Sequence, residues 1–186
     1  GYIGSNGSGK STTIKMLTGV LYPDRGSVKI NGLTPQKHRA AVNKQIGVLF
    51  GQKSHLRWDI PVLESFILHA KIYDVPDKVF EERLEQLIDL LQLGDFIHQP
   101  VRNLSLGQRV RCEFAAIFIH QPAVVFLDEP TIGLDASVKE TIRSFIRFMN
   151  KEYQTTFLIT SHDMQDIESL CERIFIIDKG KKVYDG

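Results

Sequence analysis

The chain has 186 residues, 42% of them hydrophobic and 14 of them glycine, and its 23 Lys and Arg against 22 Asp and Glu leave a net charge of +1. This length suits one domain with a substantial core, and the composition excludes intrinsic disorder, collagen and low-complexity repeats. The near balance of charge gives no electrostatic case for nucleic acid as a partner, and none of the apolar runs approaches the ~18 residues of a membrane-spanning helix.

Gly1-Tyr2-Ile3 reads as the end of a strand, so the chain looks like a piece of a longer protein. After a Gly-rich stretch, Ser11 to Leu21 reads as a helix, with Ile14, Leu17 and Leu21 apolar. Pro23 to Gly26 is a turn signal, Ser27 to Asn31 a short alternating strand, and Ile46 to Phe50 an apolar strand. Helical spacing then takes over from Val62 to Tyr73 and from Pro76 to Leu93, with Pro76 in the first turn and Gly94 as the C-terminal cap. Ser105 to His120 reads as a third helix. Strands return at Val124 to Leu127, Thr155 to Thr160 and Ile174 to Ile177, separated by helices at Ser137 to Met149 and Asp163 to Cys171.

Strands alternating with helices predict an α/β fold with a mostly parallel sheet. The helical block interrupts that alternation, so the predicted organisation is a core in two parts, 1–60 and 121–186, with an inserted α-helical subdomain at 61–120. Cys112 and Cys171 are too few and too far apart for a disulfide scaffold or zinc site, and read as reduced thiols of a cytosolic protein.

The run Gly4-Ser5-Asn6-Gly7-Ser8-Gly9-Lys10-Ser11 matches the phosphate-binding loop G-x-x-x-x-G-K-[ST]. Glycines let the backbone wrap a phosphate chain with its N–H groups inward, and Lys10 reaches the β- and γ-phosphates. The Ser11 hydroxyl is a Mg²⁺ ligand, and the helix that follows aims its positive end at the anion. Thr12 belongs to the same binding turn. Val124 to Leu127 is an apolar strand ending in Asp128-Glu129. Asp128 is placed to hold Mg²⁺ and Glu129 to polarise an attacking water as general base.

Leu104-Ser105-Leu106-Gly107-Gln108 resembles the L-S-G-G-Q signature of ABC-type ATPases. Gln52, after the strand ending at Phe50, is similar to that family's Q-loop glutamine. Thr131-Ile132-Gly133-Leu134-Asp135 is similar to its D-loop, and His162 to its switch histidine. Taken singly, Gln52, Ser105 and His162 read as a loop residue, a helix cap and a surface residue. The ordered set, spanning essentially the whole chain, carries the resemblance. The other histidines (His38, His55, His69, His98 and His120) are assigned to caps and surface.

The resemblance implies a P-loop NTPase core and an ATP-hydrolysing subunit of an ABC transporter, with ATP and Mg²⁺ as cofactors. Gln52 would touch Mg²⁺ or the attacking water, and His162 would contact the γ-phosphate and hold the catalytic geometry. Ser105, Leu106, Gly107 and Gln108 would contact ATP held by a second subunit, a copy of this chain or a paralogue. Asp135 would lie at the dimer interface. The expected membrane partner is a separate permease of an export-type system. The protein would sit in the cytoplasm, peripheral on the inner face of the cell membrane. The alternative within the resemblance is a soluble ABC-type ATPase acting on ribosomes or DNA. The distance from Lys10 to Ser105 is too short for the long coiled-coil insertion of chromosome-organising and repair members.

This chain departs from the family pattern at Leu106, where glycine is usual. The family also has an upstream strand pair bearing an adenine-stacking aromatic. Here the chain begins three residues before the loop, and Tyr2 is too near it for that role. The expectation is a weakly held base and a sheet without its antiparallel edge. Trp58, the single Trp, reads equally as subdomain core or as an anchor in the groove for the membrane partner.

Overall fold

The structure, a computed structural model, describes residues 1–50 and 54–186. Gln52 lies outside the described residues. Among those described, the elements run β1 (Tyr2–Ile3), α1 (Lys10–Leu17), α2 (Arg39–Asn43), β2 (Ile46–Phe50), α3 (Val62–Ile72), α4 (Asp77–Leu91), α5 (Leu106–Phe118), β3 (Val124–Asp128), α6 (Ala136–Tyr153), β4 (Thr156–Thr160), α7 (Met164–Leu170), β5 (Phe175–Asp178) and β6 (Lys181–Asp185).

β2, β3 and β4 pair in parallel in that order, and β1 pairs in parallel with β5. Parallel strands covered on both faces need apolar side chains on both, which is why β2 and β3 read as continuous apolar runs. Val125 and Leu127 of β3 enter a large core with α3–α6, while Phe126 enters a smaller one with Ile14 of α1 and Val42 of α2. In the larger core Phe118 meets Phe145 edge-on, with ring centroids 5.0 Å apart. Gly47 of β2 faces that core, where a Cβ would meet Pro122 at 3.1 Å and Val125 at 3.3 Å, so the missing side chain lets α5 lie close to the sheet.

Three expectations are corrected, and one strand is added. Ser27 to Asn31 is not a strand. Ile30 and Leu33 form a single bridge across Asn31-Gly32, both at positive φ (46° and 81°), an Asn-Gly turn with no ladder around it. α1 stops at Leu17 instead of Leu21, because Gly19 turns left-handed at φ 75° and the N–H groups of Val20 and Leu21 both return to the Lys15 carbonyl. α4 ends at Gln92, itself left-handed at φ 53°, and not at Gly94. Finally, β6, a strand not predicted from the sequence, pairs antiparallel with β5 across Lys179-Gly180. β6 is exposed along its length, and that polar character hid it from an apolar-run reading.

Three histidines are not surface residues. β2 is an edge of its ladder, so its outward carbonyls need donors. His55 Nε2 lies 2.7 Å from the Val48 carbonyl and His120 Nε2 3.0 Å from that of Ile46, so both Nε2 atoms carry a proton and donate. His69 Nε2 donates to the His55 carbonyl at 3.0 Å. Tyr73 stacks on His120 with ring centroids 3.9 Å apart, and the His69 ring lies 6.2 Å from that of Tyr73.

Burial pushes the His120 imidazole down from its ordinary 6.5 to about 4; the bond to Ile46 opposes this, and His69, Arg83 and His55 nearby reinforce it. His69 is also lowered, chiefly by burial. The unfolded chain therefore binds more protons than the folded one between pH 6.5 and 4. Stability is complete above that window and falls as pH drops through it, by about 2–3 kcal/mol for His120 alone. Urea midpoints measured between neutral pH and pH 4 should decline across the window, and His120→Gln, which keeps a donor without titrating, should flatten the decline.

Candidate active site

The phosphate loop bends sharply between β1 and α1. Gly7 and Gly9 sit at positive φ (77° and 109°), backbone that other residues adopt only with strain. A Cβ on Gly4 would collide with the Ile177 carbonyl of β5. The β5–β6 turn closes on the loop, with the Gly180 N–H donating to the Ser8 carbonyl at 2.9 Å. Gly9 is the N-cap of α1, so the first N–H groups of that helix face the loop interior. The Lys10 ammonium lies across the loop, donating to the Gly4 carbonyl at 2.7 Å and that of Ser5 at 3.1 Å. Tyr2 is buried and its hydroxyl meets that of Thr13 at 3.1 Å.

Opposite the loop, the Ser11 hydroxyl donates to Asp128 Oδ2 at 2.8 Å, and Thr160 Oγ1 donates to Asp128 Oδ1 at 2.7 Å. Glu129 follows at φ +54°, a left-handed conformation that is uncommon for a residue with a Cβ and clusters at functional sites. The Glu129 N–H is 3.1 Å from both the carbonyl and the hydroxyl of Thr160, which holds this turn in place. Its carboxylate accepts from the His162 N–H at 3.2 Å, and His162 Nε2 lies 3.2 Å from its other oxygen. An open cleft of about 680 Å³ lies between these groups, lined by Asn6, Gly7, Gly9, Lys10, Ser11, Thr12, Asp128, Glu129 and His162 among others.

The signature residues lie apart from this cluster, at the start of α5. Ser105 is the N-cap, its hydroxyl accepting from the Gln108 N–H at 3.2 Å while its own N–H donates to Gln108 Oε1 at 2.9 Å. This reciprocal box occupies the Gln108 side chain. Leu106 is the first helical residue and 45% exposed, so its side chain points away from the helix packing. Gly107 is different: a Cβ there would come within 2.9 Å of Val138 on α6. The second glycine of the motif is thus favoured by close packing, and the first position tolerates a side chain. Asp135 caps α6, accepting from the Val138 N–H at 2.9 Å. Trp58 is 54% exposed, which rules out the core reading.

Two features escaped the sequence. Thr160 joins Asp128 and Glu129 only because β3 and β4 pair in register, Asp128 against Thr160. Asp166 on α7 is fully buried at 0% exposure and accepts from the hydroxyls of Thr131 and Ser161 and from Arg143. It therefore ties the segment after Glu129 to the segment before His162. No linear motif marks it, since its partners come from three separate stretches. Removing one partner of a buried ion pair leaves the other uncompensated. Asp166→Ala should cost about 3 kcal/mol in urea unfolding, and should reduce any activity that needs Glu129 and His162 in register.

The family model described as ABC transporter matches residues 1–132. Over 186 residues, all of this chain, the sequence is 32% identical to the ABC transporter ATP-binding protein NatA of Bacillus subtilis strain 168, spanning 75% of that protein. It is 33% identical over 186 residues to the Nod factor export ATP-binding protein I of Ralstonia nicotianae, of which it spans 57%. A solved structure described as the ATP binding subunit of an ABC transporter superposes with a TM-score of 0.88 at 26% identity, covering 100% of this chain and 77% of that one. The chain belongs to the ABC transporter family, with the fold of that family's ATP-binding, ATP-hydrolysing subunit.

Proposed function

We propose that this chain drives an export-type transporter by binding and hydrolysing ATP, with the residues around Asp128 and Glu129 as its catalytic centre. The observation that carries the reading is the meeting of Ser11, Asp128, Glu129 and His162 at the mouth of the phosphate loop, with Glu129 held in a left-handed turn. Lys10 and the N–H groups of Gly7 to Thr12 receive the phosphates. Glu129 takes the proton of the attacking water as its oxygen closes on the γ-phosphorus, and the bond to ADP breaks. His162 orients the Glu129 carboxylate, 3.2 Å away, and faces the γ-phosphate. Catalysis of this kind rests on positioning and charge stabilisation.

The donors suit Mg²⁺. The Ser11 hydroxyl and an Asp128 carboxylate oxygen are hard oxygens 2.8 Å apart, which is the small protein contribution this ion usually takes beside phosphates. Ser11 and Asp128 would hold it, with Gln52 contributing, and when bound it would neutralise charge developing on the phosphates.

Residues 61–120 act as a helical subdomain presenting the signature to a second subunit, either a copy of this chain or a paralogue. Support comes from the N-terminus of α5, where Leu106 and Gly107, after the Ser105 cap, offer backbone N–H groups and a positive helix end to an anion. Asp135 would lie beside that shared site. The exposed Trp58 would anchor a membrane permease, placing the protein peripherally on the cytoplasmic face of the membrane. No helix among the described residues is long and apolar enough to cross a membrane. The reported relatives name transport and export, which favours this reading over a soluble ATPase of ribosomes or DNA.

Glu129→Gln in the full-length protein tests the reading. It should retain ATP binding and lower kcat by roughly 10²–10³-fold, as loss of a general base does. Light scattering should then show a dimer with ATP and a monomer with ADP. Unchanged kcat would remove Glu129 from the centre, and a monomer at saturating ATP would remove the homodimer, pointing to a paralogous partner.

A further inference from the structure

α5 buries Cys112, Phe114, Ala115 and Ala116 against its neighbours, and one carboxylate, Glu113, is buried with them at 6% exposure. A carboxylate withdrawn from water is costly unless hydrogen-bonded. Glu113 meets that condition from one place: Ser54 Oγ donates to one of its oxygens, and the His55 N–H donates to the other at 2.9 Å. Ser54 stands two residues after Gln52 in the chain. The same short loop is held on its other sides. His55 donates from its ring to Val48 of β2 at 2.7 Å, His69 donates to the His55 carbonyl, and the Leu56 N–H donates to Ser54 Oγ at 3.1 Å. Glu113 also lines a cleft of about 330 Å³ that it shares with Ser54, Leu106, Arg109 and Glu129. The signature end of α5, the loop after Gln52 and the general base thus border one space, and Glu113 is the carboxylate that fastens two of them together.

We infer that Glu113 is a positioning residue for ATP hydrolysis, fastening the loop that follows Gln52 to the signature helix so that both keep a fixed place relative to Glu129. The inference rests on the ATPase reading above. Glu113 touches no reacting atom. It acts through Ser54 and His55, whose donors have no other acceptor of comparable charge in these contacts. A loop fastened only by apolar packing would tolerate sub-ångström slippage. Two charge-assisted bonds to one rigid helix do not, and small misplacements of catalytic groups carry large losses in rate.

The test compares full-length parent, Glu113→Ala, Glu113→Gln and Ser54→Ala for kcat and KM of ATP hydrolysis, with thermal midpoints beside them. Glu113→Ala should lower kcat by about tenfold or more, with KM within about threefold, because the phosphate loop is untouched. Ser54→Ala, at an exposed position, should lower kcat in the same direction by about threefold. Glu113→Gln, which keeps one acceptor oxygen, should fall between parent and Glu113→Ala. The proposal is overturned if both alanine variants stay within about twofold of the parent kcat, or if Glu113→Ala loses kcat only together with its thermal midpoint while Ser54→Ala is unchanged. A parent that does not hydrolyse ATP overturns the ATPase reading itself, and this inference with it.

Discussion

In the β2–β3–β4 ladder, Phe50 pairs with Asp128 and Asp128 with Thr160, so three strands end at one level and on one side. Parallel pairing enforces this, because every strand presents its C-terminal end to the same edge. Phe50, the Asp128-Glu129 turn and the Ser161-His162 segment are neighbours for that reason. The phosphate loop leaves β1 beside β4 and meets them at Ser11. A one-residue slip in the ladder would turn Asp128 toward the opposite face and break its bond to Ser11.

Polar groups around this edge are arranged in two tiers. Those at the cleft, Lys10, Ser11, Asp128, Glu129 and His162, have chemistry suited to phosphates and water. Behind them stand groups that only hold others in place. Thr160 bridges Asp128 and Glu129, Asp166 with Arg143 joins the Thr131 and Ser161 segments, and Glu113 holds Ser54 and His55. Burial strengthens each of these bonds and makes each costly to leave half made. The left-handed Glu129 depends on such support, since an isolated residue with a Cβ would relax toward negative φ.

The signature shows how a family pattern can vary without losing its geometry. Position 107 is pressed against Val138, where a Cβ would force that side chain to shift, whereas Leu106 projects outward beside Gly133. The N–H groups at the start of α5 keep their helical direction in either case, because Ser105 and Gln108 cap the helix reciprocally. The exposed Leu106 changes the shape of that surface rather than the capped backbone at the helix start.

Much of the site was legible in the residues because phosphate chemistry demands particular types at short spacing. Gly4 to Ser11 must be a glycine-rich loop before a helix, and Asp128-Glu129 must follow a buried strand. The α/β class was equally legible, since apolar runs alternated with helical periodicity. The misreadings were of polar or tightly turned segments: β6, exposed throughout, and Ser27 to Asn31, whose strand-like alternation ends in the isolated Ile30–Leu33 bridge. His55, His69 and His120 were misassigned because their task, capping the free carbonyls of an edge strand and its neighbouring loop, exists only once the edge exists. The sequence by itself determined which residues are chemically competent, because motif spacing is local. Only the tertiary structure decided that Thr160, Asp166 and Glu113 support them, because those contacts join residues far apart in the chain whose pairing is set by strand register and helix packing.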